Sequence, residues 1–166
     1  IDVYRGSLMD VTGRAIDTAE HFKYDNFIRI CGDRPFLDHN IYDIMISTHL
    51  KNQNDLTTNI FPRTVPPGLT GEVISTKSLK KMYSMPLNNE DKEHVTRYYY
   101  KNPSQFSILN MEFSFSKKNI TARLVIDDEE DLKRSTWIDT KIRTNNIINN
   151  SETVIYLTEE WQKIKI

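Results

Sequence analysis

Apolar and polar positions change period along the chain, and each change marks an element. Residues 8–22 place Leu8, Val11, Ala15, Ile16, Ala19 and Phe22 on one helical stripe, which Gly13 weakens without breaking. Phe27, Ile28, Ile30 and Cys31 then form a run short enough for a parallel strand covered on both faces. Gly32 lets the backbone turn there, and Pro35 stops the strand from continuing. Asp38 is placed to cap a helix through residue 51, with Ile41, Ile44, Met45, Thr48 and Leu50 facing inward. Helix, strand and helix in this order predict βαβ packing, an α/β fold with a mostly parallel sheet.

The pattern breaks near Asn52. Residues 52–71 are rich in Asn, Thr, Pro and Gly, a long irregular stretch of the kind that is either functional or disordered. Because Glu72-Val-Ile-Ser75 reads as a short strand directly behind it, an ordered loop lining a pocket is expected. Thr76 is set to cap a short helix through Met85. Asn89 opens another that carries Glu93, His94 and Thr96 and, after Tyr98, Tyr99 and Tyr100, stops at Asn102-Pro103. Alternation through Phe106, Ile108, Met111, Phe113 and Phe115 predicts a strand, and 120–126 the next, joined by a hairpin turn at Lys117-Lys-Asn119. A helix over 129–143, a polar connector over 145–152 and a last short helix from Thr158 complete the chain. Ile1-Asp-Val-Tyr4 reads as the tail of a strand with no initiator Met, the pattern expected of a chain that lacks its true beginning.

Bulk numbers narrow the classes of function. The 166 residues suit one domain with its own core. With 22 basic against 23 acidic residues, neither a nucleic-acid footprint nor a polybasic membrane face is expected. A single cysteine, Cys31, can form no internal disulfide, which suits a reducing cytosol. No stretch approaches the roughly 18 apolar residues of a spanning helix, so no membrane is expected as a partner.

Candidate chemistry sits at two predicted strand ends. Asp33 follows the 26–31 run, at the end of the strand where open α/β sheets bind ligands. Asp127 follows Leu124-Val-Ile126 in the same way. Asp127 or Asp128 can also cap the following helix, whose first turn suits Glu129, Glu130 and Asp131. Capping explains one or two of these acids, but less well an Asp directly on the strand end. Two such carboxylates can share a hard cation such as Mg²⁺, which takes carboxylate, water and phosphate ligands.

The ordered set Gly32-Asp33-Arg34-Pro35, Pro62-Arg63 to Gly68-Leu69, Glu72-Val73, Glu93-His94-Val95-Thr96 and Ile126-Asp127 to Asp131-Leu132 resembles the spore-coat-polysaccharide type of cytidylyltransferase. That group is related to the acylneuraminate and KDO cytidylyltransferases. Arg5-Gly6-Ser7, Asp10-Val11 and Arg14 are similar to the segment that precedes its Gly-Asp motif, and the likeness runs from residue 1 to about residue 140. It implies a Rossmann-like, nucleotide-diphospho-sugar-transferase-like three-layer fold, here as the C-terminal part of one such domain over residues 1–166. An insertion over 52–115 would line the acceptor site and carry the dimer contact. The implied activity is transfer of CMP from CTP to a sugar, with Mg²⁺ as cofactor, release of pyrophosphate, and a cytoplasmic homodimer as the working form. By resemblance Asp33 and Asp127 are catalytic metal ligands, and Arg14, Arg63, Gly68, Glu72, Glu93 and His94 bind substrate.

The residues leave bland readings open beside these roles. Arg63 either contacts sugar or phosphate or pins its loop, Glu72 either meets a sugar hydroxyl or sits at a sheet edge, and a single helical His such as His94 is commonly a packing residue. Departures from the pattern are also visible. The Gly-rich basic loop and its strand have no counterpart here, Arg34 fills a position expected to be smaller, and Pro67 and Thr70-Gly71 stand where a basic and an acidic residue are common. Asp128 replaces an expected Thr. A non-catalytic relative that binds a ligand or partner without turnover is the alternative. A metal-dependent glycosyltransferase ranks below both, because no Asp-x-Asp triplet occurs.

Overall fold

The computed structural model describes residues 2–164, apart from the side chains of Lys117 and Lys118. The strand reading of Ile1 lies outside these residues, and Asp2 to Tyr4 belong to no regular element. In chain order the elements are α1 (Val11–His21), β1 (Asn26–Arg29), α2 (His39–Asn52), β2 (Leu56–Thr58), β3 (Glu72–Ser75), α3 (Thr76–Tyr83), α4 (Asn89–Glu93), α5 (Arg97–Lys101), β4 (Ile108–Asn110), α6 (Lys117–Ile120), α7 (Glu129–Thr144) and α8 (Ser151–Ile164). Their contacts divide the chain into two compact units, one of residues 1–29, 46–58 and 72–110, the other of residues 30–45, 59–71 and 111–166.

The first unit holds the whole sheet, in the order β1-β3-β2-β4. The α/β class expected from the sequence is observed, but the sheet is mixed. β3 runs antiparallel to both β1 and β2, and only β2 and β4 are parallel. Its interior place is explained by composition, because Val73 and Ile74 are both buried and so fill the two faces of one short strand. β1 is correspondingly an outer strand. All four of its residues are half-buried, it ends at Arg29, and Ile30 beyond it is exposed. The expectation of a strand through Cys31 buried on both faces is therefore corrected. Ile16, Leu56, Ile74, Leu79, Met82, Val95, Tyr99 and Phe106 form the core of this unit.

Local chemistry explains the helix starts. Asp10 accepts the Gly13 amide at 2.8 Å and begins α1, so Leu8 lies before the helix and is exposed. Ser75, one residue ahead of the expected Thr76, accepts the Ser78 amide at 3.3 Å to begin α3. Asn88 and Asp91 form a reciprocal capping box on α4. The predicted α2 is present from His39, with Ile41 and Met45 buried, whereas Ile44 and Leu50 face out.

In the second unit, the stretch 59–71 is an ordered loop. Asn59 is fully buried; its Nδ2 donates to the Leu69 carbonyl at 3.2 Å and its Oδ1 accepts the Gly71 amide at 3.0 Å, so one side chain closes both ends. The two strands expected over 106–115 and 120–126 shrink to β4, and the expected hairpin turn is the short helix α6. Residues 121–126 join no ladder. Instead the Leu124 amide donates to Pro67 at 2.9 Å and the Ile126 amide to Asp33 at 2.9 Å, threading the segment along two loops. α7 starts at Glu129 as expected, with Asp128 as its cap. α8 starts seven residues earlier than expected, because Asp38 accepts the Ser151 amide at 3.0 Å from a distant part of the chain.

Glycine matters at one point of this unit. Gly68 has a φ of 106°, and a Cβ there would lie 2.4 Å from the Leu124 carbonyl oxygen. Gly32, by contrast, has open space around it and no left-handed φ. Gly68→Ala should therefore lower unfolding stability by roughly 2–4 kcal/mol. Gly32→Ala should melt within about 0.5 kcal/mol of wild type. Denaturant melts of the two variants check the pair.

Candidate functional site

The chain leaves β1 at Arg29 and reaches Asp33 four residues later, in a turn of the second unit. The Asp33 carboxyl is partly exposed, yet its Oδ1 is screened from solvent and has no hydrogen-bond partner. The nearest cation is the Arg34 Nε at 3.9 Å, too far for a hydrogen bond. The Asp33 carbonyl receives the Ile126 amide, so the main chains bearing Asp33 and Asp127 lie side by side.

Asp128, not Asp127, caps α7. Its Oδ1 accepts the Asp131 amide at 2.8 Å. That resolves the choice left open by the sequence and releases Asp127 from capping. The Asp127 carboxylate pairs at 2.6 Å with Arg123 in an exposed contact. Such surface pairs contribute little and are easily exchanged for another cation.

Behind this pair stands Asp131, which the sequence offers as a charge in the first helical turn and as part of the motif that carries the family likeness. It is buried and accepts the Asp127 amide at 3.0 Å, Arg123 at 3.1 Å and Arg134 at 2.7 Å. Arg134 in turn donates to the Val125 carbonyl at 2.9 Å. Burial alone would raise the Asp131 pKa, but the Asp127 amide and the two guanidinium groups outweigh it and hold the carboxyl at about 2. Its signal in the sequence was the four-residue spacing to Asp127 across the α7 start.

Arg63 sits in the same unit, where Ile60 and Arg63 pair across a tight turn. Arg63 is exposed, and partial desolvation together with the Arg34 charge lowers its pKa. Gly68 belongs to the same loop and acts through its backbone.

The remaining predicted residues belong to the first unit. Glu72 lies in the interior strand β3, not at an edge, and both of its oxygens are used. Oε2 takes Arg29 at 2.8 Å, its direct cross-strand partner, and Oε1 takes Thr96 at 2.6 Å and Tyr100 at 2.7 Å. Glu93 and His94 are exposed at the end of α4, and the Glu72–Thr96 bond fixes the segment that follows them. Arg14 donates to the Ser7 carbonyl at 2.9 Å, pinning the chain before α1. Cavities of 340 Å³ in this unit are lined by Asn26, His49 and Ser75, or by Phe27, Ile46 and Leu50, and include none of the predicted residues.

Among the described residues no group of three or more His, Cys, Asp or Glu side chains could enclose a metal. Asp33 and Asp127 nonetheless fit the requirement of a hard divalent ion that keeps water and phosphate ligands. They offer two hard oxygens on adjoining backbones, one of them unsatisfied.

A solved cytidylyltransferase from Leptospira borgpetersenii superposes with a TM-score of 0.79 at 27% identity, covering 99% of this chain and 67% of that one, so the fold is of the nucleotidyltransferase-like class. The model of the cytidylyltransferase family matches residues 2–159, and the chain belongs to that family. It is 31% identical over 133 residues to the uncharacterized protein MJ1063 of Methanocaldococcus jannaschii. That match covers 80% of this chain and 54% of the relative. It is 29% identical over 156 residues to the spore coat polysaccharide biosynthesis protein SpsF of Bacillus subtilis, covering 93% and 64%. The chain thus spans between half and two thirds of these two relatives' length.

Asp131 sets a pH dependence. Its carboxyl titrates near 3.8 when unfolded and about 2 when folded, so the stability it supplies is complete above pH ~4 and is lost as pH falls towards 2. That contribution is on the order of 2 kcal/mol. Asp131→Asn should lower stability at pH 7 and flatten the acid limb between pH ~4 and ~2. Parallel denaturant melts across that range read both effects.

Proposed function

We propose that the chain serves in transfer of CMP from CTP to a sugar hydroxyl, yielding a CMP-sugar for surface polysaccharide and pyrophosphate, with Mg²⁺ held by Asp33 and Asp127. The observation that carries this reading is the Ile126–Asp33 main-chain bond, which sets the two acids on neighbouring backbones while Asp128 takes over the capping role. A divalent ion bound there would neutralise charge on the triphosphate.

The chain's own residues supply placement. Asp131 holds the Asp127 amide and the Arg123 guanidinium, so the Asp127 carboxylate has a fixed starting position and a displaceable partner. Arg63 stands ready for an anionic or hydroxyl-bearing part of the substrate. Glu93 and His94 are the exposed groups we assign to the acceptor, steadied by Glu72 through Thr96, and Arg14 orders the chain at Ser7 ahead of α1. The insertion over 52–115, the homodimer and the cytoplasmic setting belong to the same proposal. No helix among the described residues is long and apolar enough to cross a membrane.

Mg²⁺ with CTP should raise the melting temperature of the native gene product, and Asp33→Ala should abolish the rise. An unchanged rise in that variant would remove Asp33 from the metal site. Asp127→Asn should reduce pyrophosphate release in the presence of candidate sugars by on the order of a hundredfold, with folding nearly intact. If the folded variant turns over normally, the assignment of Asp127 is wrong.

A further inference from the structure

Arg123 is held at two points of unequal strength. Its Nε donates to both oxygens of the Asp131 carboxylate, at 3.3 and 3.1 Å. That carboxylate is buried and is fixed in turn by Arg134 and the Asp127 amide. The outer end of the same guanidinium is held more loosely. Its Nη2 donates to the Asp127 carboxylate at 2.6 Å, in a pair whose side chains are 51% and 55% exposed. A guanidinium carries five N–H donors in a rigid fork, and these contacts use two of them. Asp33, on the adjoining backbone, keeps an oxygen without a partner. Of the two acids assigned to a divalent ion, one is therefore unmet and the other already carries a tethered cation.

Two cations in contact with one carboxylate repel each other strongly. Entry of a divalent ion at Asp127 thus breaks the bond from Nη2, while Asp131 keeps the Arg123 guanidinium close by. We propose that Arg123 is an exchangeable cation of the site. It neutralises Asp127 when the site is empty, and the ion displaces its outer end onto a phosphate oxygen of the nucleotide or of pyrophosphate. The inference deepens the proposed function, and it rests on that reading for Asp33 and Asp127 as metal ligands. An ion that retains phosphate ligands brings their oxygens beside the carboxylate that Arg123 has left. The freed fork matches those oxygens in shape and charge, and its anchored Nε limits the side-chain freedom lost on binding. The exchange is worth only a few-fold in metal affinity, the range of an exposed ion pair.

Two affinities that move in opposite directions test the exchange without turnover. The full chain is titrated with Mn²⁺ alone, read by the EPR signal of the free ion, and with pyrophosphate in excess Mg²⁺ by calorimetry. Arg123→Gln should bind Mn²⁺ about three- to fivefold more tightly and pyrophosphate about tenfold more weakly. Arg134 still satisfies Asp131 in this variant, so the fold is kept. A staple that merely steadies the start of α7 would move neither affinity in that crossed fashion. Arg123→Lys keeps the charge but cannot hold Asp131 and Asp127 together, and it should shift Mn²⁺ binding in the same direction. If the lysine variant binds Mn²⁺ as wild type does, charge at a distance explains the effect and the exchange does not occur. Unchanged Mn²⁺ or unchanged pyrophosphate binding by folded Arg123→Gln overturns it as well. Should Mn²⁺ binding ignore both Asp33→Ala and Asp127→Asn, the metal reading fails and takes the proposal with it. Loss of Mn²⁺ in those two variants, with no response to either Arg123 substitution, overturns the exchange alone.

Discussion

A main-chain hydrogen bond, Ile126 to Asp33, sets the register on which the two candidate acids of the second unit depend. The segment 121–126 has no ladder to hold it, so its position depends on this bond and on the companion bond from Leu124 to Pro67. Gly68 permits the close approach, and Arg134 secures the Val125 carbonyl between the two bonds. Remove the register and Asp127 no longer adjoins Asp33, whatever its side chain does. The candidate chemistry is thus a property of backbone placement, with charge added afterwards.

Charge is then layered around that placement. Asp131 is a buried acid with three cationic or amide partners, whereas Asp127 one turn earlier is exposed with one. The difference assigns their work: the satisfied acid is a foundation, and the lightly held one is free to change partner. The same division separates Glu72, whose oxygens are spent within the first unit, from Asp33, which keeps one oxygen unmet.

Sequence reading succeeded where the information was local. The cap Asp38, a cap for α7 at Asp127 or Asp128, the helices α2 and α7, and the ordered loop ahead of β3 are all written in spans of a few residues. It failed where pairing was remote. Nothing near Glu72-Val-Ile-Ser75 states that two strands will flank it in antiparallel sense, so the sheet was expected to be mostly parallel. Alternation over 106–115 looked like a full strand because aromatic residues can alternate without a neighbour to pair with. The sequence singles out Asp33 and Asp127 by their place after apolar runs, although neither run continues as a strand up to the acid, whereas the support from Asp131 and the unpartnered Tyr42 hydroxyl depend on folded contacts.

Asp38 has a consequence for how this sequence can drift. One of its oxygens holds the Asn40 amide at the start of α2 and the other holds the Ser151 amide at the start of α8. Burial opposes the charge, yet the bonds to Ser151, Asn40 and Ile41 keep its carboxyl ionised below the ordinary range. Replacing it would unfasten two segments that are far apart in the gene. Among descendants of this sequence, position 38 is expected to vary only in step with compensating changes near position 151.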